Sequence, residues 1–389
     1  MKAQQQITGK AALATVLLCF FVAASMDLTG LATNYIKAEL ALSDSQAGFI
    51  PSMMFVWFLL ISIPSGLVLD RFGHRKILLA ALCIVGAGMA AILPCHNYWA
   101  FLAATGIMGI GSTVLSVALN PSVAALSEPQ RLASTLTAGG CIKAVAGLLA
   151  PLLAAWGAVN AAALPGWKLP YCIYLSVALI AIALLAGKRS RQQWAVGAAE
   201  ERPASFADCL ALLRKPAILA AFAAIVCHVG SDIGINIVAP QLLVQRSGFT
   251  LDAAATSVSV YFFCRLAGAL AGIYLLRVIK LRPALQISLG LLAAGLAGAF
   301  FAHSPAAIYA SIALLGLGNA NVYTIIISRA MLEEPLRQNG ISAIMTTGVA
   351  GGAIFPPLMG FASDLAGLGA AIAVIALCVA YIGYYALKH

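Results

Sequence analysis

The sequence predicts an all-α integral membrane protein of twelve transmembrane helices in two six-helix bundles. Three observations carry that expectation. The composition is one that no aqueous core can absorb. The chain holds twelve separate apolar runs of membrane length. Short sequence echoes relate its two halves.

Of the 389 residues, 62% are hydrophobic and only 9% are charged. Soluble domains run at about 45–50% apolar and about 25% charged, so hydrocarbon is the expected solvent. The 35 glycines and 16 prolines agree, since both are commoner in membrane helices than in soluble ones. The formal net charge is +10, but the basic residues sit in short loops. That pattern speaks for membrane orientation rather than nucleic-acid binding. The nine cysteines are scattered, mostly inside apolar runs, and no C-x-x-C occurs. They read as small buried hydrophobes, with neither a disulfide framework nor a zinc site expected.

A span needs roughly 20 apolar residues. The runs fall at 11–36, 45–69, 77–95, 98–126, 132–157 and 169–187, then at 216–244, 251–276, 283–302, 305–331, 338–363 and 367–387. The first is too long for a secretory-signal core and reads as a retained helix. The segment between spans 6 and 7 is polar and charged and divides the chain near its middle. The expected organisation is a bundle over 1–187, a cytoplasmic linker over 188–215 and a second bundle over 216–389. Lys and Arg favour cytoplasmic loops. With the N-terminus inside, seventeen of them lie on the inner side, and only Lys37, Lys168 and Arg246 lie outside. Both termini are therefore expected in the cytoplasm, in a multi-pass protein of the cell (inner) membrane, and a monomer is the expected state.

The halves echo one another at an offset near 206. EPQR (128–131) recurs as EPLR (334–337), and MGIG (108–111) as LGLG (315–318). Gly66 and Arg71 recur as Gly272 and Arg277, Pro151 as Pro357, and Asp27 as Asp232. Six spans per half keep both copies in the same orientation. A parallel repeat of that kind places a substrate site near the midplane, between the halves.

The loop after span 2, GLVLDRFGHRK (66–76), crowds five titratable groups into a chain that avoids charge. Its pattern of Gly66, Asp70, Arg71, Gly73 and then basic residues including Arg75 resembles the loop 2–3 signature of the major facilitator superfamily. The resemblance implies the major facilitator fold. It also implies a cytoplasmic latch in which Asp70 faces the N-terminal end of span 11, with Glu128, Arg131, Glu334 and Arg337 as partners. A carboxylate is favoured at a helix N-terminus, and bidentate arginine pairs are strong yet breakable. The other reading is that Arg75 and Lys76 only set topology. The second-half copy, GIYLLRVIKLR (272–282), carries Leu276 in place of the acid.

Within that superfamily, VALNPSVAALSEPQRLAS (117–134), YFFCRLAGALAG (261–272) and GGAIFPPLMGFASD (351–364) are similar to segments of the fucose:proton symporter family. That resemblance implies a sugar substrate and protons as partners. Known members carry a span 4 glutamate where Ser116 stands here, so coupling through that residue does not carry over.

Charge in hydrocarbon is costly, and each buried ionisable group is a functional hypothesis. Asp27 and Asp232 lie well inside spans, as do the bases Lys143 and Arg265. An acid shielded from water holds a proton more readily than one in bulk, which suits a proton carrier. Asp27 is the first candidate for coupling and Asp232 the second. The alternative is structural pairing, Asp27 with Lys143 and Asp232 with Arg265. Nearby glycines and Pro240 allow broken or bent helices there.

Candidate substrate-binding groups are Asn34, Asn120, Lys143, Asn236, Gln241, Tyr261, Arg265 and Asn321, since amides and aromatic rings suit sugar hydroxyls. His228, Asn319 and Tyr323 extend the same polar set, with His228 read as packing. The leading function is proton-coupled uptake of a small polar solute, a sugar or related polyol. Rivals are an organic-anion or sugar-acid carrier using Lys143 and Arg265, drug efflux, and an integral-membrane enzyme. No metal-ligand cluster, nucleophile constellation or phosphate-binding loop is visible, so no cofactor and no metal are expected.

Overall fold

A computed structural model of the chain describes residues 2–126, 132–160, 164–187, 211–333 and 338–388. Among these residues the fold is helical throughout and presents twelve apolar spans. Span 1 consists of α1 (Lys2–Ala23) and α2 (Ser25–Leu40). Spans 2 to 6 are α3 (Asp44–Phe72), α4 (His74–Ile92), α5 (Tyr98–Leu126), α6 (Leu132–Asn160) and α7 (Leu169–Ala186). Spans 7 to 9 are α8 (Pro216–Ser247), α9 (Leu251–Val278) and α10 (Leu281–Phe301). Span 10 divides into α11 (Pro305–Asn319) and α12 (Val322–Glu333). Span 11 divides into α13 (Gln338–Thr347) and α14 (Gly351–Ala366) around a 3-10 turn at Gly348–Ala350, and span 12 is α15 (Leu368–Lys388).

The breaks have local causes. At Ala24 the backbone N–H is shared between Phe20 and Phe21 carbonyls, and the Asp27 N–H turns back to the Ala24 carbonyl at 3.0 Å. That tightened turn sets Asp27 in the first turn of α2. In span 11 a glycine-rich stretch precedes Pro356 and Pro357, which supply no N–H donors to the helix. Span 7, by contrast, runs unbroken through Asp232 and Pro240.

Helix ends show the repeat. Ser43 opens span 2 with a capping box to Gln46, and Thr250 opens span 8 by accepting from the Ala253 N–H at 3.3 Å. Arg75 donates to the carbonyls of Leu185 (2.8 Å) and Ala186 (3.3 Å) at the end of span 6. Arg282 donates in the corresponding way to the Leu387 carbonyl at the end of span 12 (2.5 Å). Cations at helix C-termini satisfy orphan carbonyls and oppose the negative end of the dipole.

The three cations outside the positive set are tied down as well. Lys168 donates to the carbonyls of Leu93 and Cys95, each at 3.0 Å. Arg246 donates to those of Ala299 (2.7 Å) and Ala302 (2.8 Å), and Lys37 pairs with Asp44.

Spans 1–6 pack among themselves, and spans 7–12 do likewise. Across the halves, span 2 lies along span 11, span 5 along span 8, and span 1 against span 7. Ser52 donates across to the Ala353 carbonyl (2.8 Å), and Ser259 to the Leu148 carbonyl (3.1 Å). Large apolar side chains such as Leu59, Leu60, Phe263 and Leu377 are more than half exposed, which only a lipid surround makes inexpensive.

Candidate functional site

Four charged side chains approach one another between the halves. Lys143 of span 5, Arg265 of span 8 and Asp232 of span 7 all lie within electrostatic reach of Asp27 in span 1. Asp232 is fully engaged. Arg265 Nη1 sits 2.8 Å from its Oδ2 and 3.1 Å from its Oδ1. Asn319 Nδ2 donates to Oδ1 at 2.8 Å and to the Tyr261 hydroxyl at 2.6 Å, and that hydroxyl itself donates to Asp232. Asn236 Nδ2 donates to the Asp232 backbone carbonyl at 2.9 Å. Arg265 also lies over the Phe262 ring, 6.0 Å from its centroid. Spans 7, 8 and 10 are thus bolted together by one buried network, which supplies the partners a buried ion pair requires.

Asp27 is different. Among the described residues its carboxylate forms no hydrogen bond and no ion pair, and the Lys143 ammonium likewise forms none. The Asp27–Lys143 pairing that stood as the alternative reading is therefore not formed among the described residues: the two charges act on each other across the space between spans 1 and 5 without touching. Ser116, which stands at the glutamate position, donates instead to the sulfur of Met26, the residue before Asp27 (3.7 Å).

The polar residues sort by position. Asn34 and Gln241 are bonded to each other across the halves at 2.9 Å, and Asn34 also donates to the Ile237 carbonyl at 3.1 Å. Asn321 spends its amide on the Gly268 carbonyl at 2.9 Å, joining spans 8 and 10. Asn120 is exposed. Asn236 and Asn319 are buried, each with an amide oxygen that has no partner among the described residues.

Around the loop after span 2, Gly73 ends α3 with φ +80° and its N–H on the Leu69 carbonyl (2.8 Å). Arg71 is exposed and lies over the Phe72 ring. Arg75, expected in the latch, is seen holding the end of span 6 within its own half. Glu128, Arg131, Glu334 and Arg337 lie outside the described residues, as does the side chain of Asp70.

Asn319, read from the sequence only as part of the extended polar set, is a member of the Asp232 network, and His228, read as packing, is within electrostatic reach of that acid. One group escaped the sequence reading. Tyr174 of span 6 is fully buried, its hydroxyl has no partner among the described residues, and it feels the charge of Asp27. Its only signal was the pair of tyrosines in LPYCIYLS, three residues apart and so on one helix face.

A family model described as Major Facilitator Superfamily matches residues 13–356. The glucose/galactose transporter of Brucella abortus is 25% identical over 97% of this chain and 93% of its own length. The L-fucose-proton symporter of Escherichia coli is 24% identical over 95% of this chain and 91% of its own. A crystal structure of the E. coli fucose:proton symporter superposes with a TM-score of 0.69 at 21% identity, covering 96% of this chain and 97% of that one. A nucleoside transporter superposes with a TM-score of 0.76 at 12% identity over 97% and 98% of the two chains. At these identities the superpositions establish the fold.

Proposed function

The chain belongs to the Major Facilitator Superfamily, and from that premise we propose a secondary active transporter that imports a sugar or related polyol with a proton. Residues 1–187 and 216–389 act as two bodies joined by the 188–215 linker. They rock about a central site, with both termini and the linker on the cytoplasmic face. The work is vectorial binding rather than covalent chemistry, so the protein is not an enzyme in this account.

One observation carries the proton assignment. Of the two deep acids, Asp232 is saturated by Arg265, Tyr261 and Asn319, whereas Asp27 is unpaired among the described residues and lies at a helix break. A carboxylate already held by several donors has little to gain from a proton. An acid with no donor changes its electrostatic surroundings when it takes one up. Asp27 is accordingly the coupling acid and Asp232 the fixed anchor of the second half. Lys143, Asn120 and Asn236 line the proposed site. Asn34 and Gln241 serve it from the outer side, where they tie the halves in this conformation. The sugar class is taken from the named activities of the full-length relatives.

A second reading follows from Lys143. With Arg265 committed to Asp232, Lys143 is the deep cation left without an ion pair among the described residues, and it suits the carboxylate of a sugar acid. Uptake of labelled hexoses, uronates and amino sugars into proteoliposomes, with and without acid outside, separates the two. The main reading predicts concentrative uptake of a neutral sugar that collapses with the gradient. Uptake of a uronate alone establishes the second reading, and gradient-independent equilibration of a neutral sugar overturns proton coupling.

A further inference from the structure

The spacing that marks the end of span 2, Gly66-x3-Asp70-x2-Gly73, occurs again at the end of span 11 as Gly360-x3-Asp364-x2-Gly367. The two helices end alike. Gly73 has φ +80° and Gly367 has φ +76°, and each N–H bonds the carbonyl just before its acid, that of Leu69 and that of Ser363. Spans 2 and 11 lie side by side across the halves and run in opposite senses, so these two ends lie on opposite faces of the molecule. The second copy lacks the basic residues of the first, with Leu365 following its acid, as befits the face opposite the positive loops.

At the span 11 end the acid is engaged with the other half. Each oxygen of Asp364 accepts a backbone N–H from the first turn of α3, Asp44 at 2.8 Å and Ser45 at 2.8 Å, and the Ser45 hydroxyl adds a third donor. Ser43 caps the next N–H of that turn, so the N-terminus of span 2 is completed by a carboxylate from the opposite half. Ser363 donates to Asp44 at 2.5 Å, and Tyr35 donates to Asp252 at 2.9 Å on the same side. A Cβ on Gly360 would strike the backbone of Asp44 and Ser45, so the two helices touch there. Gly66, its counterpart on the other face, has no described atom within 4 Å of that position.

We propose that Gly360–Gly367 is the outer counterpart of the 66–73 loop, a latch in which Asp364 grips the first turn of span 2 and holds the outer door shut. The proposal rests on the alternating-access reading above but on neither the sugar nor the proton. Opening to the outside requires the N–H groups of Asp44 and Ser45 to leave Asp364 for water. Closing restores charge-assisted bonds on a helix N-terminus.

The test reads accessibility and needs no transport. Thr33 is 1% exposed and lines the cleft between the halves with Gly48, Gln241 and Met359. In a Thr33→Cys background, with the parent chain reporting the native cysteines, a membrane-impermeant maleimide is added to the outer face. Asp364→Ala should raise the labelling rate about tenfold, the order expected for losing a small set of charge-assisted bonds at an exposed site. Asp364→Asn keeps one carbonyl acceptor and should raise it by about threefold; it serves as the readout if the alanine variant does not accumulate. Unchanged or slower labelling in the folded variant overturns the latch. Faster labelling in a protein that transports no sugar leaves the latch standing and removes the substrate reading. Unchanged labelling in a competent sugar transporter does the reverse.

Discussion

The Asp232–Arg265 pair offers a quantitative test of how the second half is built. Asp232→Asn keeps the side-chain shape and removes the charge. Arg265 then loses the partner held at 2.8 and 3.1 Å, and the bonds from Asn319 and Tyr261 fall on a neutral oxygen. Stranding one member of a fully buried ion pair costs about 3–5 kcal/mol. The Arg265 side chain is 27% exposed against 10% for Asp232, so partial solvation favours the lower end, about 3 kcal/mol. In a chain of this length each kcal/mol moves Tm by about 1–2 °C, extrapolating the trend with size. The expected loss is therefore about 3–6 °C in purified protein, followed by intrinsic fluorescence on heating. Arg265→Gln should lose a similar amount, for the converse reason. The Asp232→Asn/Arg265→Gln double variant should lose about 3–4.5 kcal/mol, well short of the sum of the two singles, which is a coupling energy of about 1.5–3 kcal/mol. Single variants within 1 °C of the parent, or a double variant equal to the sum of the singles, would refute the network as a unit.

Three further outcomes follow. Arg75→Ala and Arg282→Ala each free carbonyls at the end of a sixth or twelfth span. Each should cost about 1 kcal/mol, and the double variant should be additive because the sites lie in different halves; thermal melts of the three variants check this. Lys168→Met removes a fully buried ammonium that holds the Leu93 and Cys95 carbonyls and sits over Phe101 and Trp167, so a loss of about 2 kcal/mol is expected in the same melt. Lys143→Gln should leave Tm within about 1 °C, since no bond is broken, while lowering substrate affinity in a binding titration; a large drop in Tm would instead make Lys143 structural.

The twelve spans were legible because hydrocarbon demands long apolar runs, and runs such as Leu169–Ala186 have few other uses. Helix breaks were less so. Ala24 is neither glycine nor proline, so no residue type in the sequence marks its tightened turn. The Asp232–Arg265 pairing could be read from scarcity, since few charges lie deep and opposite signs must meet. The missing Asp27–Lys143 contact could not, because a sequence gives the helix face of a residue and not the gap across two helices. Asn321 read as a substrate group but bonds a backbone carbonyl instead, and any polar residue in a membrane helix has that choice. Asp364 went unremarked because an acid at the end of a span looks like ordinary interfacial polarity. Only the N–H groups of Asp44 and Ser45 reveal its partner.

Asp27 is the residue on which proton coupling turns. With Asp27→Asn in proteoliposomes, uptake driven by an acid-outside gradient should be lost while counterflow exchange of the same sugar persists, since the site can still bind and turn over without a proton. Concentrative, gradient-dependent uptake at the parent rate in that variant would contradict that role.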